Sequence, residues 1–479
     1  MIRIHKIKNI LGILFFSLLS VSCQEWLDVS PSTEVKYDDL FSYRNGFKDQ
    51  LTGVYTALCA EELYGAHLSF GMLDALGQQY CWLQYSDGIY YYLNSYVYDN
   101  SKSQGVISDI WSNMYNTIAN VNILLQGIED HRGVLADDEE KIYEGEAYAL
   151  RAFLHFDLLR LFGKSYVAGA GEKAIPYVSK ISKQVPPLSM VSEVLDSVIM
   201  DLEKAAYLLE NDPVRTGEAT TSFLGTRSFH FNYYAVRALL ARVYLYKNDK
   251  VNALKNATEV ILSHKYPWVE KSQVATTTRE SRDGIFLPEC IFMLNNTKLE
   301  TITEKYLKPS KNNGSDLLVS YNAVIDEIFE SSLYGGTDWR YIYYFESVDW
   351  WSWGSTKLWQ VSSGYNNRQP LIRISEMYLI AAECAGSKKE ALEYFNTLRQ
   401  HRGFAVADDL KEDTTDEQLQ AAIAKEYHKE FIGEGQWFLY CKRLDQETLS
   451  DDVYMPVPFS KDYYVLPMPD QEVEYGNRN

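Results

Sequence analysis

Apolar residues recur every three to four positions along much of this chain, a period that predicts amphipathic helices. The pattern runs over residues 46–60, 106–128 and 141–162. The last of these reads KIYEGEAYALRAFLHFDLLRLF and stops at Gly163. A further helix is expected over 191–209, closed by Asn211-Asp212-Pro213. Residues 232–246 (NYYAVRALLARVYLY) break at Lys247-Asn248-Asp249 and resume as KVNALKNATEVILSH. Far downstream, residues 373–385 (RISEMYLIAAECA) break at Gly386-Ser387 and resume as KKEALEYFNTLRQHR. One more helix is expected over 419–444, with an irregular tail beyond Leu444. The period is lost in three places. Residues 64–105 are rich in Gly, Tyr and Ser and read as loops carrying aromatics. Residues 164–189 form a Pro-punctuated connection. Residues 265–368 are rich in Trp, Tyr, Asn, Gly and Ser and carry no long helical period.

The two broken helical segments place small residues where helices would cross closely and aromatics beside them, and each resembles a tetratricopeptide-type helix pair. The expected fold is mainly α, a scaffold of tetratricopeptide-like helix pairs interrupted by long loop-rich, irregular segments. Loops of that length in a compact fold are usually functional. Length allows two or three domains, or one large helical one.

The first residues follow a different plan. Arg3, Lys6 and Lys8 precede the apolar run Ile10–Leu19, the small residues Ser20-Val21-Ser22, and then Cys23. That order is a secretory signal, and the run is too short to span a bilayer, which takes about 20 residues. A cysteine after small residues is where a bacterial lipoprotein signal is cut and the thiol lipidated, although Ser20 stands where a lipobox usually has Leu. The expectation is a signal peptide over 1–22, lipid on Cys23 and a tether over 23–40. The alternative is an ordinary cleaved signal with Cys23 as a bystander.

Composition narrows the function. The net charge is −19, and removing the basic leader makes the chain three charges more negative. Such a chain repels nucleic acid, so no nucleic-acid partner is expected. Cys59, Cys81, Cys290, Cys384 and Cys441 match no metal template, and nothing in their spacing demands a Cys59–Cys81 pair. Cys384 and Cys441 read as small core residues. The chain holds 37 Tyr and 10 Trp, an excess that suits a binder of sugars or peptides, because flat amphipathic rings give contact area at low entropy cost. No dinucleotide, Walker, metalloprotease or nucleophile-elbow motif occurs. His428, in EYHKE, reads as part of an exposed helix face.

Six segments, in order, resemble the SusD/RagB family of Bacteroidetes outer-membrane lipoproteins. They are CQEWLDVSP from Cys23, GEAYALRAFLHFDLLRLFG (145–163), ALLARVYLYKND (238–249), QPLIRISEMYLIAAECAG (369–386), FNTLRQHRG (395–403) and YVLPMPDQEVEYGNRN (464–479). One departure stands in KEYHKEFIGEGQWF (425–438), where the family's paired arginines and a later Arg are replaced. The resemblance implies a single domain over 41–479, with a helical N-terminal part (41–264), a loop-rich insertion (265–368) and C-terminal helices with a tail (369–479), in which four tetratricopeptide-like helix pairs support an irregular, loop-rich segment that carries the ligand site. It also implies a surface protein anchored to the outer membrane by lipid, acting as a hinged lid on a SusC-like TonB-dependent transporter. Such proteins capture a glycan, or in some members a peptide, and are binding proteins rather than enzymes. No cofactor is expected, and whether calcium is held is left open. The rival from another class is a surface-tethered glycoside hydrolase, since paired carboxylates are abundant in so acidic a chain.

A neutral glycan offers C–H faces for stacking and hydroxyls for polar side chains. Two aromatic segments fit, Tyr80–Tyr98 and Trp339–Trp359. The candidate site residues are Trp82, Tyr85, Trp350, Trp351 and Trp353, with Asp87, Asn94 and Asp349 as polar partners. For any single ring the alternative is core or strand packing. Three Trp within four residues cannot all point inward on helix or strand, so at least one is expected to face solvent or ligand.

Overall fold

The computed structural model describes residues 37–80, 87–310, 313–361, 364–449 and 459–476. The leader with Cys23, and also Cys81, Trp82 and Tyr85, lie outside the described residues. The body is built from helices α1 (Arg44–Leu58), α2 (Ser101–Asp130), α3 (Asp137–Phe162), α4 (Val191–Leu208), α5 (Tyr233–Tyr246), α6 (Lys250–Leu262), α7 (Asn322–Ile328), α8 (Ile374–Cys384), α9 (Lys388–Gln400), α10 (Asp416–Glu430) and α11 (Trp437–Arg443). Successive helices pack as α1 on α2, α3 on α4, α5 on α6, and α8 on α9. None of the described helices is long and apolar enough to cross a membrane.

Local chemistry sets the helix starts. Side chains of Asn100, Asn232, Asp249, Ser387 and Thr415 cap α2, α5, α6, α9 and α10 by accepting from first-turn N–H groups. Four acidic residues open α3 and Arg160 closes it, as the helix dipole favours. From Ile142 onward α3 is buried on almost every face, which marks it as the central helix. In the α5–α6 turn Asn248 adopts a left-handed φ of 61°, which asparagine tolerates better than most residues.

The insertion separates the two helix hairpins in sequence, yet α6 packs directly on α8. Its ends are joined by strands β1 (Cys290–Asn295) and β5 (Arg368–Arg373), antiparallel with Cys290 opposite Arg373 and Asn295 opposite Arg368. Strand β5 runs straight into α8, whose N-cap is Arg373. Within the insertion a second small sheet has the order β2 (Ser320–Tyr321), β4 (Ser352–Ser355), β3 (Phe345–Ser347), all antiparallel.

A buried ionic knot clamps the insertion to the C-terminal helices. Arg340, Arg373 and Arg402 are all but inaccessible. Arg402 grips Glu289 through both terminal nitrogens (2.9 and 2.7 Å) and Glu430 through Nε and Nη2 (2.8 and 2.7 Å). Arg340 meets Asp338 (2.6 Å), Glu426 (2.8 Å) and Glu430 (3.0 Å). Arg373 pairs with Glu430 and, at 2.7 Å, with Glu434. Lys357 joins Glu434, and Lys429 reaches Glu426 at 3.4 Å. Five buried cations therefore face five buried carboxylates, and at the rim Glu330 pairs with Lys429 (2.8 Å) and Lys425 (2.7 Å), so the cluster is neutral and each ion is paired, as burial requires.

Three expectations are corrected. The single helix expected over 419–444 is two, α10 and α11. Gly433 and Gly435 take left-handed φ values of 83° and 69°, and their N–H groups donate to the buried Asp74 carboxylate at 2.7 and 3.0 Å. His428 does not lie on an exposed face. It stacks on Trp437 with centroids 4.2 Å apart and planes 3° from parallel. Many aromatics of 64–105 are core rather than loop rings: Tyr64, Phe70, Tyr80, Tyr90 and Tyr96 are buried. The tyrosine hydroxyls find internal partners, as with Tyr64 on Asp157 (2.6 Å) and Tyr80 on the Phe70 carbonyl (2.6 Å), which makes tyrosine tolerable inside. Residues Tyr37–Phe41 form a helical turn whose Phe41 is fully buried. Cys384 and Cys441 are buried free thiols, as read from sequence, and Cys59 is likewise free and buried.

Buried titrating groups predict a shaped pH response. Burial lowers His67 to about 4 and His155 and His428 to about 3, so acidification below 6.5 favours the unfolded chain, which takes protons these rings refuse. Burial raises Asp74 to about 7 and Asp283 to about 6, and over nearly the same range these favour the folded chain. The two sets oppose each other down to about pH 4. Burial alone would raise Glu146, but Arg227 and His230 outweigh it and hold it at about 2. Its stabilisation is full above about 4.5 and is lost as pH falls toward 2, a loss on the order of 3 kcal/mol. Glu430 is depressed in the same sense, its three arginines outweighing its burial. Burial also lowers His401 to about 4, so the shifted histidines outnumber the shifted aspartates, and the thermal midpoint should fall moderately from about pH 6.5 and more steeply below about 4.5. A calorimetric midpoint that stays flat to pH 3 would contradict this.

Candidate ligand-binding site

The clearest exposed aromatic surface is the turn between β3 and β4. Asp349 builds it, its Oδ1 accepting from the backbone N–H of Trp351 (3.0 Å) and Ser352 (2.8 Å), while Ser347 Oγ donates to the Asp349 carbonyl at 2.6 Å. A side chain that satisfies two turn N–H groups in this way holds the backbone in place. The turn lifts Trp350 into solvent, where it is 87% exposed, far beyond any other Trp among the described residues. Asn322, at the start of α7, braces the turn: its N–H donates to the Trp351 carbonyl at 3.0 Å and its Nδ2 to the Trp350 carbonyl at 3.4 Å.

The neighbouring rings divide the work. Trp351 is half-buried, its ring 5.5 Å from that of Tyr321. Trp353 packs on Tyr341 at 5.5 Å and Phe345 at 6.4 Å, over a small core of Ile325, Phe329 and Ile432. Tyr341 donates to Asp326 at 2.6 Å. Its hydroxyl is held protonated, first by burial and then by that carboxylate. Arg279 pairs with Glu346 on β3. The three tryptophans are thus one exposed and two half-buried, of which Trp353 anchors the strand, consistent with the expectation that they could not all turn inward. The ionic knot supports this surface, since Arg340 lies just before β3 and Lys357 just after β4.

The structure draws the two aromatic segments together. Gln79, before the first, accepts from Ser320 Oγ through its carbonyl, and the Ile89 N–H donates to Asp316 at 3.1 Å. Ser320 pairs with Trp353 across β2 and β4. Trp82 and Tyr85 lie between these flanks in sequence and outside the described residues. Asp87 is exposed and paired with Lys102. Asn94 needs correcting as a polar partner on an open loop, because it is 1% exposed, at the end of a short helix. Sequence reasoning missed Tyr321 and Asn322, which reach the turn only through the β2–β4 pairing, a contact that leaves no local signal.

Several concavities flank this region or lie apart from it. A cleft of about 250 Å³ runs along α7 and α10, lined by Gln78, Val324, Glu327, Lys425, His428 and Trp437, among others. A larger groove of about 770 Å³ lies between the start of α2 and residues 465–471. Among the described residues, no unpartnered buried polar side-chain atom belongs to that groove. No group of three or more His, Cys, Asp or Glu among the described residues is placed to hold a metal ion.

Comparisons with known proteins agree with this architecture. Residues 25–245 match a family model described as SusD-like, starch-binding and associating with the outer membrane, and residues 330–474 match the model of the SusD family. SusD-like protein P38 of Formosa agariphila is 25% identical over 306 residues, 59% of this chain and 50% of that protein. SusD-like protein P25 of the same organism is 22% identical over 209 residues, 42% of this chain and 37% of that protein. The chain thus spans half or less of the length of these curated relatives. A SusD-like carbohydrate-binding protein from Bacteroides vulgatus superposes with a TM-score of 0.70 at 20% identity, covering 91% of this chain and 97% of its own. A laminarin-binding SusD-like protein superposes with a TM-score of 0.65 at 17% identity, covering 90% and 97%.

Proposed function

The chain belongs to the SusD family, and from that premise we propose that it captures a neutral oligosaccharide at the cell surface and passes it to a TonB-dependent outer-membrane transporter. The observation that carries this reading is Trp350, an indole left 87% exposed by a turn built to hold it there. Exposing so large an apolar face to water is unfavourable unless something covers it, and a sugar ring's C–H face is a matching surface. Tyr321, Trp351 and Tyr341 extend the platform, with Asp326, Arg279 and Glu346 as nearby polar groups. The solved relatives named as carbohydrate- and laminarin-binding support the same ligand class. Lipid on Cys23 would tether the chain to the outer membrane facing outward, with residues beyond it as the leash. In this reading the protein binds and delivers without cleaving.

Isothermal titration of the purified chain against laminarin, amylopectin and other neutral glycans tests the proposal, with reducing ends assayed in the same mixtures. Saturable binding to at least one glycan with no release of reducing ends is expected. Silence across the panel would remove the glycan reading, and released reducing ends would move the chain to the hydrolases.

A further inference from the structure

The cleft along α7 and α10 carries a feature that the exposed turn does not explain. Three residues that line it each hold a buried polar atom without a partner: Gln78 Oε1, His428 Nε2 and Trp437 Nε1. Buried polar groups in folded proteins almost always find partners, so three orphans on one cleft call for a ligand. They are an acceptor, an indole donor and a ring nitrogen that serves as either. Each is held in place. Gln78 Nε2 donates to the Asn94 carbonyl at 2.6 Å, which leaves Oε1 free to accept. His428 and Trp437 lie face to face, and Trp437 stacks in turn on Tyr440 at 5.5 Å, itself 4.5 Å from Tyr427. His428 and Tyr440 both stack on Trp437, so the edge of that ring, with Nε1, is what remains for a ligand. Trp437 is itself only 7% exposed.

The chemistry of the lining selects the occupant. His428 is neutral over the working pH range, because burial holds it at about 3. Lys425 is paired with Glu330 at 2.7 Å, so it is not a free charge. The three orphans are therefore uncharged and suit hydroxyl groups. A volume of about 250 Å³ lies below the range typical for drug-sized ligands and suits one sugar ring. The cleft adjoins the exposed turn, since α7 lines it with Val324, Glu327 and Ile328 while Asn322 at its start braces Trp350.

We propose that this cleft is a second subsite, which takes a single uncharged sugar ring through Gln78, His428 and Trp437 while the chain's next units lie over Trp350. The class of ligand rests on the glycan reading above, whereas the site itself rests on the three orphans.

The test is nuclear magnetic resonance on the full ¹⁵N-labelled chain, with the Trp437 indole N–H signal identified by its loss in Trp437→Phe. Should that variant fail to fold, a crystal of the wild-type chain soaked in the same sugars gives the location directly. The probes are D-glucose, D-galactose, D-mannose and D-xylose at millimolar concentration. The expected result is a saturable shift of the Trp437 signal, or the sugar seen in the cleft, with at least one probe. The shift should persist in Trp350→Ala, which leaves the cleft intact. A Trp437 signal unmoved by all four sugars, in protein that binds a longer glycan by calorimetry, would overturn the subsite and leave the glycan reading standing. A shift with a single sugar, in protein that binds no longer glycan, would support the subsite and count against capture at the exposed turn.

Discussion

Glu430→Ala should destabilise the protein by about 3–5 kcal/mol, the cost expected when one partner of a buried ion pair is removed. Its carboxylate accepts from Arg402 at 2.7 and 2.8 Å, from Arg340 at 3.0 Å and from Arg373, and none of these side chains is more than 2% exposed. The wild-type knot is neutral, with five buried cations and five buried carboxylates. Without Glu430 it carries an uncompensated buried positive charge that water cannot reach. Against a typical total stability of about 5–15 kcal/mol, that is a large share. Glu430→Gln keeps the shape and removes the charge, so it should fall in the same direction. Urea unfolding followed by circular dichroism measures both. If either variant kept the wild-type midpoint, charge balance would not be what holds the insertion to the C-terminal helices. Since Arg340 and Lys357 flank β3 and β4, a loosened knot should also lower ligand affinity, even where most molecules remain folded.

The second large effect concerns binding rather than stability. Trp350→Ala should weaken glycan binding about 10- to 100-fold, the range expected for a central aromatic anchor worth about 2 kcal/mol or more. Stability should stay within about 0.5 kcal/mol of wild type, because the side chain is 87% exposed and its truncation opens no cavity. Trp353→Ala is the informative contrast. Its ring packs on Tyr341 and Phe345, so truncation should cost stability, and any loss of binding there would be indirect. Replacing all three tryptophans together would confuse the two effects. Calorimetric titration of Trp350→Ala with the best glycan of the panel, beside its thermal midpoint, separates them. Unchanged affinity would sink the assignment of the site to this turn.

The helical scaffold was legible in the amino-acid sequence because its signals are local. The three-to-four period of α3, the Lys247-Asn248-Asp249 break and the caps at Asn232 and Ser387 each lie within a few residues of what they determine. The same locality misled where a distant group intervened. The continuous pattern over 419–444 conceals a break held by Asp74, which lies 359 residues from Gly433 in the chain. The tyrosines of 64–105 read as loop rings because nothing nearby in sequence announces the carboxylates and carbonyls that take their hydroxyls inside.

For the candidate site the division is sharper. Three tryptophans in four residues determined by themselves that not all could be buried, since neither helix nor strand geometry points them one way. Which one emerges was decided by tertiary structure. Asp349 turns the chain, Asn322 braces it from α7, and Tyr341 and Phe345 hold the half-buried Trp353 against the body. Asn94 was removed from the open surface by the same kind of packing. The sequence alone thus determined the class of fold, the family pattern and the residues rich enough in aromatic surface to bind a sugar. Exposure, ion pairing and the unpartnered atoms of the cleft were settled only by folding, because each depends on groups brought together from far apart in the chain.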